Sequence, residues 1–222
     1  MSYILNIETA TRNCSVSIAR DGGVIALKEV AESGYSHAEK LHVFIEEALL
    51  DSQLRFSDLQ AVAVSQGPGS YTGLRIGVSA AKGLCYALNI PLIAVDTLQV
   101  LASQVQINEG LIIPMIDARR MEVYSAIYNA QFHQVRGVEA QIIDENSFAE
   151  YRQNLYFVGD CQSKCQEVLK AENHFFLPET EFPSAKEMAT TSHQKFTQKS
   201  FEDLAYFEPF YLKDFVGTMA KK

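Results

Sequence analysis

Two stretches of this sequence open alike, with a strand, a tight turn and a second strand. "YILNIET", "CSVSIAR" and "VIALKEV" are β-rich runs separated by "ATRN" and "DGG", and Asp-Gly between such runs signals a hairpin. Over residues 36–51 the period lengthens. At about 100° per residue, Leu41, Phe44, Ile45, Ala48 and Leu49 share one face, with Glu39, Glu46 and Glu47 opposite. "LQAVAVSQ" and "IPLIAVD" read as buried strands on either side of a helix that starts near Thr72. This β-β-β-α-β-α-β order restarts near Gly110, where "LIIPMIDA" and "EVYSAIYNA" flank the turn "RRM", followed by "QFHQVRGVEA" and "LYFVGD". "CQSKCQEVLK" and "AKEMATTSHQKF" read as helices, and "FEPFYLKDFV" is aromatic without a period. The pattern predicts a duplicated α/β architecture. An N-terminal lobe covers 1–105 and a smaller one covers 106–222, whose last residues pack back onto the first.

With 222 residues, 47% of them hydrophobic, the chain is long and apolar enough for such a core. Its net charge of −8 supplies no global positive field, so contact with nucleic acid needs a local basic cluster. The opening "MSYILNIET" has neither a basic n-region nor a long apolar h-region, and no apolar run approaches the ~18 residues of a membrane span. A cytoplasmic chain with no membrane contact is expected. Cys14, Cys85, Cys161 and Cys165 fit no disulfide framework and lack a second ligand pair for zinc, so reduced structural thiols and no metal are expected.

"SQGPGSYTGLRIGVSAAKG", residues 65–83, places glycines at 67, 69, 73 and 77. The P-loop pattern fails in every register, and G-x-G-x-x-G fails because Thr72 stands where the third glycine belongs. What remains is a strand-to-helix turn that Ser70 or Thr72 caps, either purely structural or attracting an anion at a helix N-terminus. No G-x-S-x-G elbow exists, since Ala38 and Ala81 replace its second glycine, and a peptidase reading has no residues to carry it.

On the helix that follows, Arg75, Ser79, Lys82 and Tyr86 fall in one arc, and small or apolar residues fill the rest. A stripe that wide exceeds what one sheet covers. One account is that this helix and the 36–51 helix cover only each other and their sheet. The other is a protein interface, a four-helix bundle with a second subunit, formed by Leu41, Val43, Phe44, Ala48, Gly73, Leu74, Gly77, Val78 and Ala81. In that account the small residues admit the partner closely, and Val43 and Leu50 add a second seam.

"ILNIETATRNCSVSIARDG", "GYSHAEKL", "SQGPGSYTGLRIGVSAAKGL" and "PMIDARRMEVYSAIY", in this order and spacing, resemble the bacterial TsaB family, also called YeaZ. The likeness spans residues 4–128, is sharpest over 67–77, and returns near the end only in "EPFYLKDFV". It implies an actin/Hsp70/sugar-kinase-like α/β fold of two related lobes. It also implies a non-catalytic role in placing N6-threonylcarbamoyl on the adenosine next to the anticodon of ANN-decoding tRNAs. The implied partners are the catalytic paralogue TsaD and the ATP-hydrolysing TsaE, acting after TsaC has made threonylcarbamoyl-adenylate. A homodimer is implied for the isolated chain, and tRNA is met only through the complex.

In catalytic members of that superfamily, an acidic residue of the first hairpin and a glycine-containing acidic turn in the second lobe hold metal and phosphates. The equivalents here are Glu8 in "IETAT" and Asp117 in "IDARR", with arginines where glycine backbone has to approach phosphate. No cofactor is expected on the isolated chain, and ATP is expected only in the complex with TsaD and TsaE. TsaD-like proteins bind metal through two histidines one helical turn apart. Here Leu41 stands four residues after His37, and His42 is about 140° around, so His37 reads as a helix-end residue beside a Ser36 cap. Arg119 and Arg120 are either turn residues with exposed ion pairs or a contact for a partner or tRNA phosphate. Two competitors stand beside the leading reading: a stand-alone kinase or ATPase of the same superfold, and a homodimeric scaffold unrelated to tRNA.

Overall fold

The computed structural model describes residues 1–32 and 37–213. Strands β1 (Tyr3–Glu8), β2 (Asn13–Arg20), β3 (Gly23–Ala31), β4 (Ala61–Gly67) and β5 (Leu92–Asp96) form one sheet in the order β3-β2-β1-β4-β5. Strands β6 (Leu111–Asp117), β7 (Glu122–Asn129), β8 (Gln134–Ile142), β9 (Leu155–Val158) and β10 (His174–Phe176) form the other, in the order β10-β9-β6-β7-β8. Read from its third strand, the second sheet repeats the first: two antiparallel pairings, then two parallel ones. The duplication expected from the sequence is therefore present strand for strand.

β1, β4 and β5 are buried along nearly their whole length, as central strands covered on both faces require. Helices α1 (His37–Asp51) and α2 (Tyr71–Leu88) cover one face of the first sheet. The Ser70 hydroxyl caps α2, accepting from the Gly73 N–H at 3.3 Å. The Ser36 cap expected for α1 lies outside the described residues. Helix α3 (Thr97–Ala102) joins the lobes, packing Leu98 and Leu101 with Ile112, Ile116 and Tyr128 of the second sheet.

Helix α4 (Gln162–Gln166) is shorter than the stretch that reads as helical, with Cys161, Cys165 and Leu169 buried along one side. Helix α5 (Ala185–Thr197) belongs by packing to the first lobe: Ala185 and Met188 lie against Ile4, Ala61, Ala63, Ile93 and Val95. Residues 185–197, which the sequence reading places in the second lobe, thus return to the first.

Residues 199–213 continue that return as a strap along α2. Glu202 N–H bonds Leu92 O at 2.9 Å and Phe210 N–H bonds Gln66 O at 2.7 Å. The Lys82 ammonium donates to Ala205 O at 3.3 Å and Phe207 O at 3.0 Å. Arg75 Nε donates to the Tyr211 hydroxyl at 3.3 Å, with its guanidinium 4.4 Å from the Tyr71 ring centre. The polar arc of α2 is thus partly spent inside the chain. All four cysteines are free and buried. Among the described residues no helix is long and apolar enough to cross a membrane.

Candidate functional site

The first hairpin turn folds inward. Glu8 ends β1 with a fully buried carboxyl whose Oε1 accepts from the Ala10 N–H at 2.6 Å. Thr9 Oγ1 donates to the Gly73 carbonyl at 2.8 Å, and the Ala10 carbonyl accepts from the Ser70 N–H at 2.7 Å. A Cβ on Gly73 would lie 2.1 Å from the Thr9 carbonyl oxygen, and one on Gly77 would lie 2.3 Å from Thr9 Oγ1. Gly69, Gly73 and Gly77 therefore seat the chain's own β1–β2 turn, while Gly67 makes room for the Phe210 carbonyl. Burial pushes the Glu8 carboxyl up to about 7, opposed by the Ala10 N–H and the nearby Ser65 hydroxyl. Neither Glu8 Oε2 nor Ser65 Oγ completes a hydrogen bond of ordinary geometry.

The second turn, between β6 and β7, is filled differently. Lys164 on α4 reaches across, donating to the Asp117 carboxylate, to Arg120 O at 2.6 Å and to Glu122 O at 2.9 Å. Asp117 Oδ1 also accepts from the Arg119 N–H at 2.9 Å, and the Asp117 N–H donates to Asp160 Oδ1 at 2.8 Å. Burial pushes Asp160 up to about 6. Arg119 and Arg120 have φ of 73° and 52°, so the turn keeps a backbone suited to glycine while carrying two long side chains. Such residues cost about 1 kcal/mol or more each and need surroundings that enforce them; the Lys164 bonds do so.

The interface residues expected on the two helices divide. Leu41, Ala48, Gly73, Leu74, Gly77, Val78 and Ala81 are buried within the chain, against its own sheet and hairpin turn. That corrects the expectation that Gly73, Gly77 and Ala81 admit a foreign helix: Gly73 and Gly77 abut Thr9, and Ala81 packs in the first-sheet core. Val43 is 49% exposed and Phe44 half-buried, and Leu50 is 77% exposed. On α2, Ile76, Ala80, Gly83 and Ala87 form one arc, half-buried to exposed and apolar throughout, clear of the strap. An added Cβ at Gly83 meets nothing within 4 Å.

His37 is buried, its Nε2 2.7 Å from Thr11 O, which ties α1 to the first hairpin turn. Burial lowers its pKa, opposed by the Thr11 carbonyl. Among the described residues no group of three or more His, Cys, Asp or Glu is arranged for a metal ion. The residue that the sequence did not single out is Lys164. It pairs with a carboxylate 47 positions away, a contact that only the pairing of α4 with the β6–β7 turn creates.

A family model described as "TsaD: tRNA N6-adenosine threonylcarbamoyltransferase" matches residues 11–220. A Bacillus subtilis (strain 168) protein described as "tRNA threonylcarbamoyladenosine biosynthesis protein TsaB" is 38% identical over 125 residues, covering 56% of this chain and 54% of that protein. The match thus spans about half the length of that relative. An Escherichia coli (strain K12) protein of the same description is 30% identical over 224 residues, covering 96% of each chain. The solved structure "YeaZ from Pseudomonas aeruginosa" superposes with a TM-score of 0.84 at 22% identity, covering 96% of this chain and 100% of that one. With the repeated sheet order, this likeness makes the fold actin/Hsp70/sugar-kinase-like, with two α/β lobes.

Proposed function

The chain belongs to the TsaB (YeaZ) family of tRNA threonylcarbamoyladenosine biosynthesis proteins, and we propose that its part there is that of a non-catalytic subunit. It binds and activates the catalytic paralogue TsaD, with TsaE as the ATP-hydrolysing partner, so that N6-threonylcarbamoyl reaches the adenosine next to the anticodon of ANN-decoding tRNAs. The observation that carries this reading is that both turns suited to holding a nucleotide are filled from within. The Glu8 turn is wedged against Gly73, and the Asp117 turn is closed by the Lys164 ammonium. A metal ion would have to displace the Lys164 ammonium, which donates three hydrogen bonds here, before meeting Asp117.

The surface left for partners is the outer side of α1 and α2, where Val43, Leu50, Ile76, Ala80 and Gly83 are apolar and incompletely covered. Two copies of the chain use that face in isolation, and the paralogue competes for it in the working assembly. Mass spectrometry of tRNA nucleosides after depletion of the chain tests the reading: threonylcarbamoyladenosine falls if it holds, and an unchanged level overturns it. Purified chain is expected to hydrolyse no ATP. Turnover abolished by Glu8→Ala would instead favour a stand-alone ATPase.

A further inference from the structure

At the β6–β7 turn two guanidinium groups carry charge that nothing in the described chain answers. Arg119 and Arg120 are exposed, and among the described residues neither has a carboxylate within 4.0 Å. The acidic side chains beside them are already taken, Asp117 by Lys164 and Glu122 by Lys213. Asp160, the next carboxyl inward, is largely enclosed and accepts the Asp117 N–H. The two lysines thus neutralise the turn from behind and leave its tip doubly positive, on a chain whose net charge is −8. Both arginines sit in the left-handed region, held there by the bonds from Lys164 to Arg120 O and Glu122 O and by the Arg119 N–H on Asp117.

We propose that Arg119 and Arg120 form a paired phosphate contact for an RNA backbone, held out from the second lobe by Lys164 acting as a positioning residue. Guanidinium groups match phosphate oxygens in a two-pronged geometry, and a free, adjacent pair on a rigid turn pays little to be ordered on binding. The overall negative charge makes this a contact for RNA already gathered by an assembly rather than a site that recruits RNA alone. The proposal rests on the reading of the chain as a subunit that acts on tRNA.

The test titrates a substrate tRNA transcript with the chain assembled with its catalytic paralogue, over a series of NaCl concentrations. Asn tolerates left-handed backbone, so Arg119→Asn/Arg120→Asn removes both charges without disturbing the turn. The slope of log affinity against log salt is expected to shrink by about 2, with affinity near 0.1 M salt falling some tens of fold. Arg55→Gln/Arg152→Gln, which makes the same change in net charge elsewhere, is expected to leave the slope in place. Lys164→Met frees the Asp117 carboxylate to pair with the arginines and is expected to weaken tRNA binding as well. Adding Asp117→Asn is expected to restore only the part of that loss due to the freed carboxylate, which a merely structural role for Lys164 would not produce, while the part due to the missing bonds to Arg120 O and Glu122 O stays lost.

An unchanged slope in the arginine variant, or an equal loss in the control, overturns the proposal. Weakened paralogue binding at an unchanged tRNA slope overturns it too, in favour of an acidic protein surface. If depletion removes threonylcarbamoyladenosine while the arginine variant binds tRNA normally, this proposal falls and the functional reading stands. If depletion leaves the nucleoside intact, the reading itself falls.

Discussion

The Thr9 hydroxyl donates to the Gly73 carbonyl at 2.8 Å, which fixes the first hairpin turn of the lobe to the first turn of α2. Because the Ala10 carbonyl takes the Ser70 N–H and Glu8 takes the Ala10 N–H, one chain of bonds runs from the end of β1 to the cap of α2. Gly73 and Gly77 are thus explained by the close approach of Thr9, and Gly69 by that of Ala10. A helix built with side chains at those positions cannot sit this near the sheet.

That closeness separates the glycines of α2 by consequence. Gly73→Ala puts a methyl 2.1 Å from a backbone oxygen, which cannot yield as a flexible side chain does. We expect a loss of at least about 2 kcal/mol, as overpacking against rigid atoms gives. Gly83→Ala meets open space in an exposed helical position and is expected to gain about 0.5–1 kcal/mol. Urea unfolding of the two variants beside the parent decides the matter, and similar midpoints for both would refute the assignment.

Glu8 makes stability depend on pH in a direction opposite to most carboxylates. Its folded value, about 7, lies above its ordinary 4.5, so the folded state prefers the protonated form. The corresponding stability is complete below pH 4.5 and is lost as pH rises through 7. Its full size is on the order of 3 kcal/mol for a wholly buried group. Glu8→Gln keeps the acceptor for the Ala10 N–H and cannot ionise. The difference in unfolding free energy between this variant and the parent is expected to grow in the variant's favour from pH 5 to pH 8; a difference flat with pH excludes the buried charge.

The thiols give a simpler check. Burial pushes Cys14 and Cys85 up to about 11, and Cys161 and Cys165 are at most 2% exposed. Native chain at pH 8 is expected to give almost no reaction with an aromatic disulfide reagent, and all four thiols are expected to react in denaturant. Rapid modification of native Cys161 or Cys165 would show that α4 opens, and of Cys14 or Cys85 that the first-lobe core does.

Much of this architecture is legible in the residues themselves. The Asp-Gly turn and the alternating runs beside it fix the first hairpin, and the near-continuous apolar runs "AVAV" and "LIAV" mark central strands, because such patterns have few other stable homes. The inward side of α2 is a different case. Periodicity says that Gly73, Gly77 and Ala81 avoid water, but it does not say whether their cover is a foreign helix or the chain's own hairpin turn and core. Lys164 is harder still, since its partner lies 47 residues away and the link depends on two elements meeting edge to edge. The strap is readable only as an aromatic segment without a period, and its carbonyl bonds to Lys82 appear once α2 stands beside it.

The proposed partner surface is what α1 and α2 leave uncovered. Ala81 is wholly buried and Gly77 abuts Thr9, so a charge at either unfolds the chain before it reports on any interface. Val43 and Gly83 are the informative positions: both are exposed, and neither supports the core. With Val43→Glu/Gly83→Glu the free chain keeps its fold, because each new charge stays in water, and two like charges cannot pair with each other in a complex. In a complex formed over this face both charges lose water without a partner, which costs several kcal/mol and lowers affinity by about two orders of magnitude or more. Sedimentation is expected to show a monomer and a loss of binding to TsaD, with circular dichroism unchanged. If the double variant is folded and still binds TsaD as the parent does, the interface lies elsewhere. If TsaD binding fails while self-association persists, the two associations use different faces, and their expected competition is wrong.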